Sequence, residues 1–204
     1  MPGAGRIDLA DLLARARRGE NQALGKLLEL YRNYLTLLAR SHIQQKLQAK
    51  AGASDLVQET FVEAQRSFAQ FQGTCERELM QWLRSILAHR IARLVRHYRT
   101  QRRDVRLEQQ LSLALDESSL ALERALEAEQ TTPSQAAARR ENAVVLADAL
   151  ERLPEAYREV LTLRHLEGLR LDEVARRMGR TVDSVKNLWS RALGELRRNL
   201  GESP

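Results

Sequence analysis

Cysteine, proline, glycine and aromatic residues are all scarce in this chain of 204 residues. It has one cysteine, 4 prolines and 10 glycines, and aromatic residues make up only 4% of it. Cys75 has no second cysteine with which to form an internal disulfide bond, which fits a reducing, cytoplasmic setting. Because few prolines and glycines interrupt the backbone, the chain has room for long helices.

Features that would indicate a membrane segment or an enzyme are also missing. No stretch approaches the ~20 apolar residues of a spanning helix, and the first residues lack the apolar core of a secretory signal. The histidines His42, His89, His97 and His165 are scattered. No metal-ligand cluster, nucleophile–base set or phosphate-binding glycine loop accompanies them. We therefore expect no membrane insertion, no catalytic residue, no metal and no cofactor.

The residues that are abundant indicate an all-α protein with a polyanionic partner. Leucine, alanine, glutamate and arginine dominate, and these residues lose little entropy in a helix. Alternating β-branched runs are absent, so a sheet is not expected. The net charge is +6 and the isoelectric point is about 10.0. The excess is arginine rather than lysine, which suits phosphate and base-edge recognition.

The segment LDEVARRMGRTVDSVKNLWSRALGELRR, residues 171–198, has the pattern of a helix-turn-helix motif. Ala175 is small enough for two helices to cross closely, and Gly179 is placed to end the first helix. Thr181 is placed to cap the second helix, and Val185 to close the core between them. The alternative is an ordinary helical hairpin with a solvated basic face.

In the functional interpretation, the helix over 182–198 enters a DNA major groove with its amino-terminal end toward the bases. Lys186 and Arg191 would contact phosphates or guanine, and Asn187 would contact a base edge. Trp189 lies on the apolar stripe and is expected in the core. Residues 141–200 as a whole are predicted to form a compact four-helix unit.

The amino-terminal half is predicted to contain helices with a break near Gly19, then a helix that starts at Ser54 or Asp55. The acidic residues of that later helix lie off its apolar stripe. A polar loop over 72–78 and a long helix over 80–103 follow. Repeated cations mark that long helix, and they are Arg84, His89, Arg90, Arg93, Arg96, Arg99, Arg102 and Arg103. They indicate either nucleic-acid contact or a solvated face.

Residues 107–138 form an acidic segment between two basic regions. We interpret it as a linker with partial helix, the clearest helical pattern lying at 119–129. It is either a plain tether or a segment that occupies a basic channel, and in the free protein its acids would rest against the arginines of the helix over 80–103. The acids in question are Glu108, Asp116, Glu117, Glu123, Glu127 and Glu129.

Several stretches in a fixed order resemble the extracytoplasmic-function class of bacterial RNA polymerase sigma factors. They are RRGENQALGKLLELYRNYL, ASDLVQETFVEAQRSFAQF, WLRSILAHRIARLVR and ALERLPEAYREVLTLRHLEGLRLDEVARRMGRTVDSVKNLWSRALGELRR. The resemblance implies two small helical domains, over 1–106 and 139–204, joined by the flexible linker 107–138. It implies core RNA polymerase and promoter DNA as partners. Because members of this class often have anti-sigma partners, an anti-sigma factor is a further candidate.

The resemblance also assigns site residues by position. The helix that binds the clamp helices of the polymerase would contain Asp55, Gln58, Glu59 and Thr60. The part that recognises and opens the minus-10 element, with a flipped base in the loop, would contain Gln72, Gly73, Thr74, Trp82, Arg84, His89, Arg90 and Arg93. The part that reads the minus-35 element as duplex would contain Arg180, Thr181, Ser184, Lys186, Asn187, Ser190 and Arg191.

Two other functions compete with a promoter-specificity subunit. A stand-alone helix-turn-helix regulator would explain the carboxy-terminal motif, but it predicts a dimerisation seam, and no sustained heptad repeat is present. An enzyme acting on nucleic acid would need a catalytic constellation, and none of the patterns supplies one.

Overall fold

The computed structural model of the chain describes residues 9–47, 52–99, 105–127 and 138–201, and the regular elements in these ranges are all helical. This confirms the all-α prediction. The helices are α1 Leu9–Arg17, α2 Asn21–Leu30, α3 Arg32–Leu47, α4 Ala53–Ser67, α5 Glu76–Arg99, α6 Val105–Glu127, α7 Ala138–Glu151, α8 Glu155–Leu161, α9 Leu171–Met178 and α10 Val182–Gly201. A 3-10 turn at Phe68–Gln70 extends α4, and a π-helical turn at Thr162–Leu166 extends α8.

Helices α1–α5 form the amino-terminal unit around a leucine-rich core. The break near Gly19 is confirmed, since this glycine has a φ of +88° in the left-handed region. A second break at Tyr31, which the sequence did not indicate, separates α2 from α3. Tyr31 is fully buried and its hydroxyl donates to Glu76 at 3.2 Å, so a buried polar contact accompanies this break.

The helix in the acidic segment is longer than predicted. It was expected most clearly at 119–129, and α6 is continuous over Val105–Glu127. Leu111 and Leu115 are fully buried. Ser118 and Ser119 continue the inward face, with Ser118 Oγ 3.1 Å from His42 Nε2 and Ser119 Oγ accepting from the Tyr34 hydroxyl at 2.8 Å. The apolar stripe thus ends in two serines whose partners lie on α3, which a local pattern does not reveal. The acid Glu129 lies outside the described residues.

Helices α7–α10 form the carboxy-terminal unit, and the four-helix prediction for it is confirmed. Pro154 lies just before α8, where its missing N–H removes no helical hydrogen bond. The π-helical turn that extends α8 ends at Leu166, and Gly168 follows after Glu167 with a φ of +67°. Val160, Leu161, Val174 and Val185 are buried together in the centre of the unit.

The two units pack against each other, with α6 between them. Helix α6 contacts α5 on one side and α7 and the π-helical turn on the other. Helices α3 and α7 also meet directly, where Asn33 Nδ2 donates to Asp148 Oδ1 at 2.9 Å and Arg40 pairs with Glu151 at 2.9 Å. Burial raises the pKa of the Asp148 carboxyl above its ordinary range.

Candidate nucleic-acid and partner interfaces

Local sequence signals fix the position of the basic helix α10. Helix α9 ends at Gly179, whose φ of +62° is left-handed, and the following Arg180 N–H donates to the Ala175 carbonyl at 2.9 Å. Thr181 caps α10, because its hydroxyl oxygen accepts from the Ser184 N–H at 3.2 Å. Ala175 and Val185 are buried at the crossing of the two helices, as the motif predicts.

The predicted duplex-reading residues lie together at the exposed start of α10. Lys186, Asn187 and Arg191 are all exposed, and Ser184 is half-buried. The positive end of the helix dipole adds to the attraction for phosphate at this end. Lys186 pairs with Asp183 at 3.5 Å. Since Asp183 is almost fully exposed, this pair contributes little against a phosphate competitor. The other residues of this exposed set are Arg180, Thr181 and Ser190.

Trp189 faces the protein and not the solvent face of α10. It packs against the core, and its indole N–H donates to His165 Nε2 at 3.1 Å. The two rings are stacked with centroids 6.1 Å apart. Trp189 is half-buried, so it lies on the apolar stripe as predicted but packs against the core and is not enclosed by it.

On α4 the structure separates the predicted polymerase-binding residues into two groups. Asp55, Gln58 and Glu59 are exposed, and Val62 continues the same face. Thr60 is fully buried, and its hydroxyl donates to the Leu56 carbonyl at 2.7 Å. Thr60 is therefore a core residue and not part of a contact surface. The acidic face of α4 is defined from here on as Asp55, Gln58, Glu59 and Val62.

This acidic face forms one wall of an open groove of about 1200 Å³ whose other wall is α5. Arg90 lies at the bottom of the groove with 13% of its side chain exposed, 2.5 Å from Glu63 and 3.8 Å from Glu59. Arg90 therefore ties α5 to α4 in the free chain, and its role as a DNA contact stays a prediction. Arg93 is exposed on the same wall and stays a candidate.

Two other predicted DNA-binding residues on α5 are held by α6. Arg84 has 13% of its side chain exposed and pairs with Asp116 at 2.7 Å. The Arg84 guanidinium also donates to the Tyr34 hydroxyl at 3.0 Å. His89 Nδ1 lies 3.4 Å from the Glu108 carboxylate. Arg84 is consequently an internal contact in this state.

Glu108 of α6 also pairs with Arg96 of α5, at 2.7 Å. The hydrogen bond from Arg96 holds the pKa of the Glu108 carboxyl below its ordinary range. Two of the acids predicted to rest against α5, Glu108 and Asp116, therefore do so. Glu117 points outward and is exposed.

The loop between the 3-10 turn and α5 stands on an aromatic cluster. Trp82 is half-buried, and its ring centroid lies 4.9 Å from Phe71 and 6.1 Å from Phe68. Gln72 and Thr74 are exposed above this cluster. The loop thus presents polar side chains beside a partly accessible aromatic surface, which is the arrangement that an unstacked base needs.

Arg17, which the sequence assigns to no site, and Glu78, at the end of the predicted loop, contact the backbone of this loop. The Glu78 contact had a local signal, because a glutamate three residues after a helix cap is a known pattern. The Arg17 contact spans 56 residues of sequence and had none.

Within residues 9–47, 52–99, 105–127 and 138–201, no group of three or more His, Cys, Asp or Glu side chains could hold a metal ion. No helix in the same ranges is both long and apolar enough to cross a membrane.

Comparisons with known proteins identify the family. A family model described as Sigma-70, region 4 matches residues 143–196, the carboxy-terminal unit. The ECF RNA polymerase sigma factor BldN of Streptomyces coelicolor is 33% identical over 94% of this chain, which spans 66% of that protein's length. The ECF RNA polymerase sigma-E factor of Haemophilus influenzae is 28% identical over 89% of each chain.

A solved structure, the RsbN–BldN complex, contains a chain that is 28% identical, with coverage of 91% of this chain and 97% of that one. The TM-score of that alignment is 0.33. The curated relatives match along nearly the whole chain, and the region 4 model falls on the helix-turn-helix described above. The chain belongs to the extracytoplasmic-function class of RNA polymerase sigma factors.

Proposed function

We propose that this chain is a promoter-specificity subunit that binds core RNA polymerase and directs initiation at promoters with its own minus-10 and minus-35 elements. The observation that carries the proposal is the presence, on a chain of this class, of an exposed acidic face on α4 and an exposed basic face on α10. The first suits a basic protein partner and the second suits duplex DNA. This function puts the chain in the cytoplasm with the chromosome.

The stand-alone regulator is disfavoured by the acidic face of α4. An operator-binding protein would need only the carboxy-terminal unit and a dimer interface. It would leave unused a face whose acids, Asp55 and Glu59, repel DNA and whose Val62 is 37% exposed. A chain that works with a polymerase uses both faces at once.

In the free chain the two DNA-facing regions are in different states. The duplex-reading face of α10 is open, whereas Arg84 and His89 on α5 are engaged by Asp116 and Glu108 of α6. We infer that α6 leaves α5 when the chain joins the polymerase, and that only then does α5 contact the minus-10 strand. Release of α6 breaks these ion pairs and also exposes Leu111 and Leu115, so contacts with the polymerase have to compensate for both losses.

The test is promoter-directed transcription by core polymerase with the purified full-length chain. We expect Glu59→Lys to reduce competition for core polymerase, because the reversed charge meets a basic partner surface. The matched control is Glu155→Lys, which makes the same charge change at an exposed position on α8. A parent chain that neither co-elutes with core polymerase nor directs initiation contradicts the proposed function. Equal competition by both variants contradicts the α4 assignment alone.

The anti-sigma partner expected from the class stays a prediction. If one exists, it should compete with core polymerase for this chain.

A further inference from the structure

The loop over 71–75 is held in shape from two sides before any DNA is present. It follows the 3-10 turn, has no regular secondary structure and ends where α5 begins at Glu76. A loop of this length normally samples many backbone conformations. Here the backbone of three consecutive residues, 73 to 75, is engaged by side chains from α1 and α5.

The first of these side chains is Glu78. One of its carboxylate oxygens accepts from the Thr74 N–H at 2.5 Å, from the Cys75 N–H at 3.3 Å and from the Thr74 hydroxyl at 3.3 Å. These bonds satisfy N–H groups that the start of α5 leaves without helical partners. The bond from the Thr74 N–H is the main reason that the pKa of Glu78 is lowered. Glu78 thus fixes the loop to the helix that follows it.

The second side chain is Arg17, at the end of α1. Its guanidinium donates to the carbonyl of Gly73, on the opposite side of the loop from Glu78. Gly73 itself has no room for a side chain, because a Cβ there would lie 2.3 Å from the Phe71 ring and 2.7 Å from the Glu78 Cβ. The loop backbone is therefore folded tightly onto Phe71, which in turn packs on Trp82.

We propose that Arg17 and Glu78 are positioning residues that set the base preference of the minus-10 loop without touching the base. This inference rests on the proposed function. The two residues fix the backbone between them, so the exposed side chains of Gln72 and Thr74 are aimed before the strand arrives. A site with preset polar groups rejects a wrong base, because that base leaves those groups unpaired. A loose loop would adapt to several bases and discriminate less.

The chain supplies a matched control in Arg18. It is the neighbour of Arg17 in sequence and is exposed. Its guanidinium faces the Glu20 carboxylate at 3.5 Å, whereas the Arg17 guanidinium reaches the loop. Arg17→Ala and Arg18→Ala therefore make the same change in size and charge, and the loop contact differs between them. Arg17→Lys keeps a donor, and Glu78→Gln keeps an acceptor.

The experiment measures base discrimination by the holoenzyme with the full-length chain. Initiation is compared on promoters that carry each of the four bases at each minus-10 position, and the readout is the ratio between the best and second-best base. We expect Arg17→Ala and Glu78→Ala to lower this ratio about three- to tenfold at one position, which corresponds to the loss of about one hydrogen bond. Arg17→Lys and Glu78→Gln should restore part of it.

Several outcomes distinguish failure of the positioning role from failure of the proposed function. Minus-35 duplex affinity should match the parent in all variants. Thermal unfolding should match it in the Arg17 and Arg18 variants, whereas Glu78→Ala loses cap bonds and should unfold at a somewhat lower temperature. The Arg17 variants therefore separate lost discrimination from a folding defect. A ratio that is unchanged in Arg17→Ala, or that falls equally in Arg18→Ala, overturns the positioning role while initiation by the parent still supports the proposed function. A parent that initiates at no promoter overturns both.

Discussion

The basic faces of α5 and α10 are similar in composition, but they differ in exposure and in ion pairing. On α10, Lys186 lies in solvent near the capped start of the helix, and Arg191 lies in solvent at its middle. On α5, Arg84 is nearly enclosed between Asp116 and the Tyr34 hydroxyl, and Arg96 is held by Glu108. A run of cations on a helix therefore does not by itself define a DNA-binding surface.

The difference between the two helices shows that acidic residues distant in sequence determine which basic side chains are free to bind DNA. The acids of α6 lie in a segment that the sequence presents only as a charged connector. Under the proposed function, full minus-10 contact by Arg84 requires α6 to move, because Asp116 holds that side chain in the free chain. The exposed residues of α10 need no such step.

Leu115→Ala should have the largest effect on stability, because it removes a buried side chain that packs α6 against the rest of the protein. Leu115 is fully buried, so its truncation should reduce the free energy of unfolding by about 2–5 kcal/mol. Urea unfolding measures this. The control on the same helix is Leu113→Ala, where the side chain is 64% exposed and the change should stay within about 0.5 kcal/mol. Equal losses in the two variants would mean that α6 is not packed as described.

Asn187→Ala and Lys186→Ala test whether the exposed residues of α10 read bases or contact phosphates. Asn187→Ala should cost about 1–3 kcal/mol of discrimination at one base pair of the duplex. Lys186→Ala should weaken binding to all sequences and reduce the slope of log affinity against log salt by about 1. Titrations on specific and random duplex at several salt concentrations measure both. If Asn187→Ala lowers the affinity for specific and for random DNA by the same factor, Asn187 does not read a base.

Neutralising the α6 acids tests whether they mask α5. The double variant Asp116→Asn, Glu108→Gln should raise the affinity of the free chain for random DNA several-fold at low salt, since Arg84 and Arg96 become available. The gain should shrink as salt rises. Glu117→Gln is the control, because this exposed acid of α6 removes the same kind of charge. If the double variant binds no better than the control, the acids do not mask α5.

The smallest effect concerns Asp148 at the contact between α3 and α7. A raised carboxyl pKa means that the folded chain binds a proton more readily than the unfolded chain. The contribution of the Asp148 carboxyl to the free energy of unfolding therefore falls as the pH rises from the ordinary pKa of about 3.9 through the raised value. Asp148→Asn keeps an acceptor for Asn33 and should be more stable at neutral pH by about 0.5–1 kcal/mol. Thermal unfolding between acidic and neutral pH checks the sign, and a variant less stable than the parent at neutral pH would contradict it.

The parts of the fold that follow from short-range signals could be predicted from the sequence. The duplex-reading helix was expected over 182–198 and is Val182–Gly201, because Gly179 and Thr181 act on residues within one turn of themselves. The buried stripes of α2, α4 and α5 follow in the same way from helical spacing.

The parts that depend on contacts far apart in sequence could not be predicted. Arg84 and Asp116 are 32 residues apart, and Tyr34 and Ser119 are 85 residues apart. Nothing in a local window distinguishes Arg84, which is enclosed, from Arg93, which is exposed. The same holds for Thr60, whose burial depends on how α4 rotates against α3 and α5. The domain limits 1–106, 107–138 and 139–204 stay predictions.

The most direct measurement of the central claim compares two DNA ligands on the free chain and on the holoenzyme. One ligand is a minus-35 duplex and the other is the non-template minus-10 single strand, both from a promoter that the holoenzyme opens. We expect the free chain to bind the duplex but to bind the single strand at least about tenfold more weakly than the holoenzyme does, because α6 covers α5. A free chain that binds the single strand as tightly as the holoenzyme would contradict the account.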